Sequence, residues 1–305
     1  MHDLGGGVSQ KSMAELVELL CESSRRNFAN PYTSMEWPDA IDPEREWLMS
    51  PQLCSLFDTP IWNALSERAQ KRLAFCEATN FFSLNIHGER ALMQGLAERL
   101  YRPRTQDISR YLHHFLDEEN KHSVLFGTFC ERYAKKIYPD RKLVIAAAED
   151  DALESDFMFF AKVLIFEEVV DTYNLAMSKD RRLHPIAIAI NHNHHVEEAR
   201  HLAFGRRICQ ELWGELARER SSEELDSLRE HLRAFLTLTW REYYNPDVYR
   251  DAELGPDLPT PWAELDPWQV QAMAWSHPSA VARRTELSSR CTSFLNLLER
   301  MEGAQ

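Results

Sequence analysis

Two stretches of the chain repeat one pattern: Glu119-Asn120-Lys121-His122 and Glu198-Ala199-Arg200-His201 are both Glu-x-x-His. A helix brings positions i and i+3 onto one face, so each stretch can aim a carboxylate and an imidazole at one point. A lone glutamate precedes each pair at nearly the same separation, Glu89 before the first and Glu167 before the second. The midpoint of Glu89 and Glu119 is Arg104, beside Pro103, and that of Glu167 and Glu198 falls at Arg182 to Leu183, in a second turn-forming stretch. In antiparallel helices joined by a short connection, residues equidistant from it lie at one height, so each glutamate is expected opposite its Glu-x-x-His pair. Glu77 is too far from Glu119 to share that height. Glu168 competes with Glu167, which has the more apolar stripe and is preferred.

The flanking residues turn these groups inward. Phe82, Ile86, Met93, Leu96 and Leu100 share the helix face of Glu89; Leu112, Phe115, Leu116 and Phe126 surround Glu119; Phe160, Val163, Leu164 and Val170 surround Glu167. Ionised carboxylates buried without partners cost several kcal/mol each. Two dications compensate four of them at once, and four Glu with two His is the donor set of dinuclear carboxylate bundles. Mixed oxygen and nitrogen donors suit iron or manganese. His194 stands four residues before Glu198 and seven before His201, on their face, and is expected as a further ligand. His192 and His195 are expected to be ordinary polar residues. Asp117 and Asp171 are candidates to hydrogen-bond ligand imidazoles.

Such a site needs long helices, and the chain supplies them. Ten Gly and fourteen Pro in 305 residues are few enough to favour helix. The apolar period predicts helices over residues 12–27, from about 61 to 101, 107–136, 152–177, from His184-Pro185 to about 213, 223–244 and 279–301. Residues 30–60, punctuated by Pro31, Pro38, Pro43, Pro51 and Pro60, read as an irregular arm wrapping the core; residues 245–267 read as a covering loop. No run reads as a strand. The expectation is one all-α domain over 1–305: a ferritin-like four-helix bundle core at about 61–213, with additional N-terminal and C-terminal helices, the latter covering it at about 222–301.

Composition narrows the partners. With 35 Lys plus Arg against 48 Asp plus Glu, the net charge of −13 and the lack of a basic block argue against nucleic acid or a membrane surface. No apolar run is long enough to span a bilayer and the start has no leader pattern, so a cytoplasmic location is expected. The six cysteines contain no C-x-x-C pair and read as buried free thiols. There is no G-x-S-x-G, phosphate loop or dinucleotide fingerprint. Electrons for redox chemistry must then come from a separate reductase or ferredoxin, or from reduced substrate intermediates.

The string His194-His195-Val196-Glu197-Glu198-Ala199-Arg200-His201, with Asp117-Glu118-Glu119-Asn120-Lys121-His122 and Phe166-Glu167-Glu168-Val169-Val170-Asp171, resembles the p-aminobenzoate N-oxygenase family over residues 56–213. The resemblance implies a ferritin-like homodimer with two iron ions held by Glu89, Glu119, His122, Glu167, His194, Glu198 and His201. His87, close to Glu89, is read as structural or as a support to the ligands. It further implies O2 as co-substrate and oxidation of an amine, free or carrier-bound, to hydroxylamine, nitroso or nitro products in secondary metabolism. The residues alone leave open a di-iron hydroxylase or desaturase acting on carbon, and a non-enzymatic ferritin-like iron binder.

Overall fold

The computed structural model describes residues 12–140 and 151–291. Helix α1 (Met13–Arg26) opens on a capping box in which Ser12 and Glu15 satisfy each other's backbone N–H groups. Short α2 (Pro60–Ala64) is followed by α3 (Glu67–Arg99), α4 (Ser109–Phe129), α5 (Ala152–Met177) and α6 (Pro185–Glu219). Then come α7 (Ser222–Glu242), α8 (Pro246–Asp251), α9 (Pro267–Ser276) and α10 (Pro278–Cys291). The expected all-α architecture is present, and the only β-pairing among the described residues is an isolated bridge between Trp47 and Leu183.

The boundaries differ from expectation where caps outrank periodicity. The helix expected over 61–101 is broken at Leu65, because the Ser66 hydroxyl caps α3 through the Ala69 N–H. The helix expected over 107–136 starts with a short 3-10 turn and ends in a π turn, Cys130–Ala134, with Lys135 left-handed. α6 runs past the expected end at residue 213, since nothing breaks it before Arg220 and the Ser221–Glu224 capping box that starts α7. Residues 245–267 contain α8, and α9 was not expected; Asp266 and Gln269 cap it. The Lys135–Lys136 part of a small basic cluster is described; Arg141 and Lys142 lie outside the described residues, as does the 292–301 part of the last expected helix.

Four helices form the core, as two antiparallel hairpins: α3 with α4 and α5 with α6. α5 is central, packed also against α3, α7 and α10, and every residue from 156 to 170 is buried. The hairpins meet where α3 offers glycines. The Phe166 ring lies where a Cβ on Gly88 would stand, and the Phe159 ring does the same at Gly95, seven residues along each helix and in opposite senses. A buried Arg99–Asp156 pair at 2.9 Å, with Arg99 4.0 Å above the Phe159 ring, continues the same antiparallel register. The arm crosses the far ends of α5 and α6: His184 donates its backbone N–H to Trp47 at 2.8 Å, and Ser50 donates to Asp180 at 2.7 Å. No helix among the described residues is long and apolar enough to cross a membrane.

Glu77, one of the buried carboxylates of α3, is remote from the paired motifs and accepts hydrogen bonds from the Ser55 backbone and hydroxyl, the latter 2.8 Å from Tyr249 Oη. Burial pushes its carboxyl up to about 7, against the pull of the Ser55 hydrogen bonds.

Two outcomes follow from this packing. Gly95→Leu gains about 1 kcal/mol of helix propensity but overfills the Phe159 contact, and should lose about 1–3 kcal/mol net in urea unfolding; an unchanged midpoint would mean the helices separate there at no cost. The protonated Glu77 contributes stability that is full below its ordinary value of 4.5 and is lost as pH rises through about 7. Glu77→Gln should therefore gain on wild type by about 3 kcal/mol between pH 4.5 and 8, and parallel stability curves would refute this.

Candidate metal centre

Glu89, Glu119, His122, Glu167, His194, Glu198 and His201 all converge in the middle of the four-helix core, each at most 3 % exposed. Their donor atoms form three groups, each within 4.8 Å: Glu89, His122 and His194; Glu119, His122 and Glu198; Glu119, Glu167 and His201. Two clusters thus share a middle built from Glu119 and Glu198. His122 points Nδ1 at Glu198 (3.6 Å), Glu119 (3.7 Å) and Glu89 (4.0 Å). His201 points Nδ1 at Glu119 (2.8 Å) and Glu198 (3.4 Å), and His194 points Nε2 at Glu198 (2.8 Å) and Glu89 (3.6 Å).

The inward atoms are conspicuously unpaired. Both Glu167 oxygens, one oxygen each of Glu89, Glu119 and Glu198, and the Nδ1 atoms of His122 and His201 lack hydrogen-bond partners although buried. Groups left in that condition inside a protein are normally satisfied by something else, and carboxylate oxygens with imidazole nitrogens converging on two points fit a pair of cations. On protein atoms alone the strain shows in the proton equilibria. Burial, reinforced by Glu119 and by Glu198 respectively, raises Glu89 and Glu167 well above the usual carboxylate range. Burial would lower His122 and His201, but their carboxylate neighbours outweigh it and raise both.

The outward nitrogens are held by residues that the sequence analysis missed. His122 Nε2 meets Glu197 at 2.9 Å, and His201 Nε2 meets Glu118 at 2.9 Å. Each imidazole is braced by the carboxylate that precedes the opposite helix's inward glutamate, so α4 and α6 lock reciprocally. Arg200 ties the braces together, bonding Glu118 at 2.7 Å and lying 3.7 Å from Glu197. Burial works against Glu118, yet His201 and Arg200 bring it down to about 2. His194 Nδ1 lies 2.7 Å from the Asn174 amide on α5. With the amide turned so that its otherwise unpartnered Oδ1 faces the ring, Asn174 accepts from Nδ1–H and leaves Nε2 facing the cluster. The signal for the braces was present as the doubled Glu118-Glu119 and Glu197-Glu198; Asn174 gave none.

Other expectations are corrected. Asp117 reaches no imidazole: it is half-exposed and pairs with Lys121 at 2.6 Å. Asp171 holds His195 at 2.5 Å, outside the cluster. Glu168 is as buried as Glu167 but turns to Arg206 at 2.9 Å, so the arginine, and not the apolar stripe, separates the two. His192 is exposed, as expected of an ordinary polar residue.

Carboxylates that orient metal-ligating imidazoles typically contribute 10–100-fold to affinity. Glu197→Ala and Glu118→Ala should each weaken divalent-metal binding by about that factor in chelator competition, with helix content unchanged. Wild-type affinity in both would remove the braces from the account.

The whole-chain pattern has known counterparts. Residues 10–297 match the model of the family described as p-aminobenzoate N-oxygenase AurF. Uncharacterized proteins of Mycobacterium tuberculosis and Mycobacterium bovis are 29 % identical over 218 residues, 67 % of this chain and 64 % of theirs, so the match spans less than two thirds of those relatives. Among solved structures, an R2-like ligand-binding oxidase with Mn/Fe cofactor, in two point mutants, is similar at TM-scores of 0.54, with 16 % and 17 % identity and coverage of 97 % of this chain and 98 % of the other. That likeness establishes the ferritin-like fold. With the family model matching residues 10–297, nearly the whole chain, the chain belongs to the AurF p-aminobenzoate N-oxygenase family.

Proposed function

We propose that the chain is a non-haem di-iron oxygenase that uses O2 to oxidise the nitrogen of an amine, an aryl amine in secondary metabolism being the first choice. The observation that carries this reading is the cluster of seven buried carboxylates and imidazoles, several of whose inward atoms lack hydrogen-bond partners, on a chain of an N-oxygenase family. In it Glu89, Glu119, His122, Glu167, His194, Glu198 and His201 would hold the two iron ions. Bound iron supplies the reduction of O2 that delivers one oxygen atom to nitrogen. Amine, O2, two electrons and two protons give hydroxylamine and water, and no dinucleotide or flavin motif is present to supply the electrons, so a separate reductase or ferredoxin is part of the proposal. A homodimer is a further part of it.

The protein's own share is positioning and water exclusion. Phe115 stacks on His201 with ring centres 3.9 Å apart, and Phe126 meets His194 edge-on at 5.0 Å, backed by Phe82 at 5.2 Å from Phe126. These rings, all buried, fix the imidazole planes and keep bulk water from the donors. Four carboxylates with neutral imidazoles balance two dications, so the loaded site needs none of the protons that the bare cluster takes up.

The reading is tested by supplying iron-reconstituted, chemically reduced protein with neutral anilines under 18O2. Mass spectrometry should find hydroxylamine, nitroso or nitro products carrying the label. Label on ring carbon would move the protein to the hydroxylases, and absence of any oxygenated product from fully loaded protein would contradict the proposal. The structural relatives described above carry a Mn/Fe cofactor, so Mn/Fe-loaded protein belongs in the same comparison.

A further inference from the structure

Trp275, on α9, stands between two hollows on the surface that α7, α9 and α10 form together. Arg241, Tyr244 and Gln271 line one, of about 180 Å³, and Trp240, Val281 and Arg284 line the other, of about 480 Å³; Trp275 lines both.

The two arginines set the chemistry of this face. The Arg284 guanidinium lies 3.9 Å from the centre of the Trp275 ring, and that of Arg241 lies 5.3 Å from it. Arg284 donates to Tyr244 Oη at 2.9 Å and to the Trp275 carbonyl at 2.6 Å, which fixes its place without neutralising it. Neither arginine has a carboxylate partner among the described residues, and no Asp or Glu lines either hollow. On a chain of net charge −13 this is a local reversal of sign. Apolar side chains border it: Val281, Leu238 one turn before Arg241, and Trp268 two turns before Trp275 are all exposed. Trp, Tyr and Arg gathered in a concave, partly apolar setting have the composition of a protein-docking face, and its charge calls for an acidic partner.

The face also has a short way inward. Trp240, in the wall of the larger hollow, is buried, with its ring centre 6.3 Å from that of Tyr173 and 5.6 Å from that of Tyr243. Tyr173 packs on Phe81 at 5.4 Å and precedes Asn174, which meets the His194 imidazole at 2.7 Å. Packed rings bar this route to a substrate tethered on a carrier, whereas an electron crosses packed protein.

We propose that the face formed by α7, α9 and α10 docks the electron donor, an acidic iron–sulfur protein of the ferredoxin type, with Arg241 and Arg284 meeting its carboxylates and Trp275 its apolar surface. The inference rests on the oxygenase reading and locates the donor that reading requires. Each encounter oxidises one reduced iron–sulfur cluster and passes one electron to a ferric ion. Two encounters supply the two electrons of hydroxylamine formation, and solvent supplies the two protons.

The test is binding, read apart from turnover. Dissociation constants of an oxidised plant-type ferredoxin, an acidic protein, are measured by calorimetry on the iron-reconstituted full chain. Wild type should bind with a micromolar Kd that weakens about tenfold between about 20 and about 300 mM salt. Arg241→Glu, at an exposed position, should weaken binding about tenfold at low salt with helix content kept, and Arg25→Glu, the same charge change on α1, should leave it unchanged. No binding at about millimolar concentration, a wild-type affinity in Arg241→Glu, or equal losses in the two variants overturns the proposal. Dissociation of a dimer by Arg241→Glu would give the face to a second copy of the chain, and tighter, Arg241-dependent binding of an acyl carrier protein would give it to a carrier; either result overturns the proposal. Should ferredoxin bind through Arg241 without any oxygenated product being formed, the oxygenase reading fails and the docking face stands. Should chemically reduced protein form labelled products while ferredoxin ignores Arg241, the docking face fails and the oxygenase reading stands.

Discussion

Four carboxylates and three imidazoles share one dry space at the centre of this bundle, and the rest of the structure is arranged around the cost of putting them there. Each buried charge left uncompensated is worth several kcal/mol against folding. The bracing carboxylates deepen that demand, since Glu118 and Glu197 are buried as well. Arg200 answers part of it, lying against both. Several inner atoms, both Glu167 oxygens among them, have no hydrogen-bond partner within the chain, which is why the cluster reads as a container for cations and not as a stabilising salt-bridge network.

Two registers place the donors. Between α4 and α6 it is set by polar contacts, Glu118 to His201 and Glu197 to His122, which can form together only when the two Glu-x-x-His turns face each other antiparallel. Between α3 and α5 it is set by shape, with Phe166 and Phe159 seated over Gly88 and Gly95. A slip of one helical turn along α3 would set the rings against side chains that have Cβ atoms and would carry Glu89 away from His122 and His194. The residues that build the site and those that build the core are neighbours in sequence, so site geometry and core packing cannot vary independently.

The inward residues were legible because helices convert spacing into direction: three, four and seven residues put donors on one face, and distance from a short connection puts them at one height. Periodicity weakened on α5, where burial on every side let the apolar stripe favour Glu167 without excluding Glu168, and in the structure Arg206 draws Glu168 away. The imidazole braces escaped because they act across helices, from α4 to α6 and back, and spacing within a single helix carries no such information. Asp117 and Asp171 looked equally suitable by type, but their phases point them to Lys121 and His195. Helix ends followed hydroxyl and carboxylate caps at Ser66, Ser221 and Asp266, each of which competed with an apolar pattern running past it or hidden by prolines.

The central claim is that the seven converging residues hold two metal ions. Elemental analysis of protein purified after iron supplementation, beside a Glu119→Ala, Glu198→Ala double variant, tests it most directly. Two iron ions per chain, lost in a variant that keeps its helix content, is the result this account requires. Metal-free wild-type protein, or a variant that retains both ions, would contradict it.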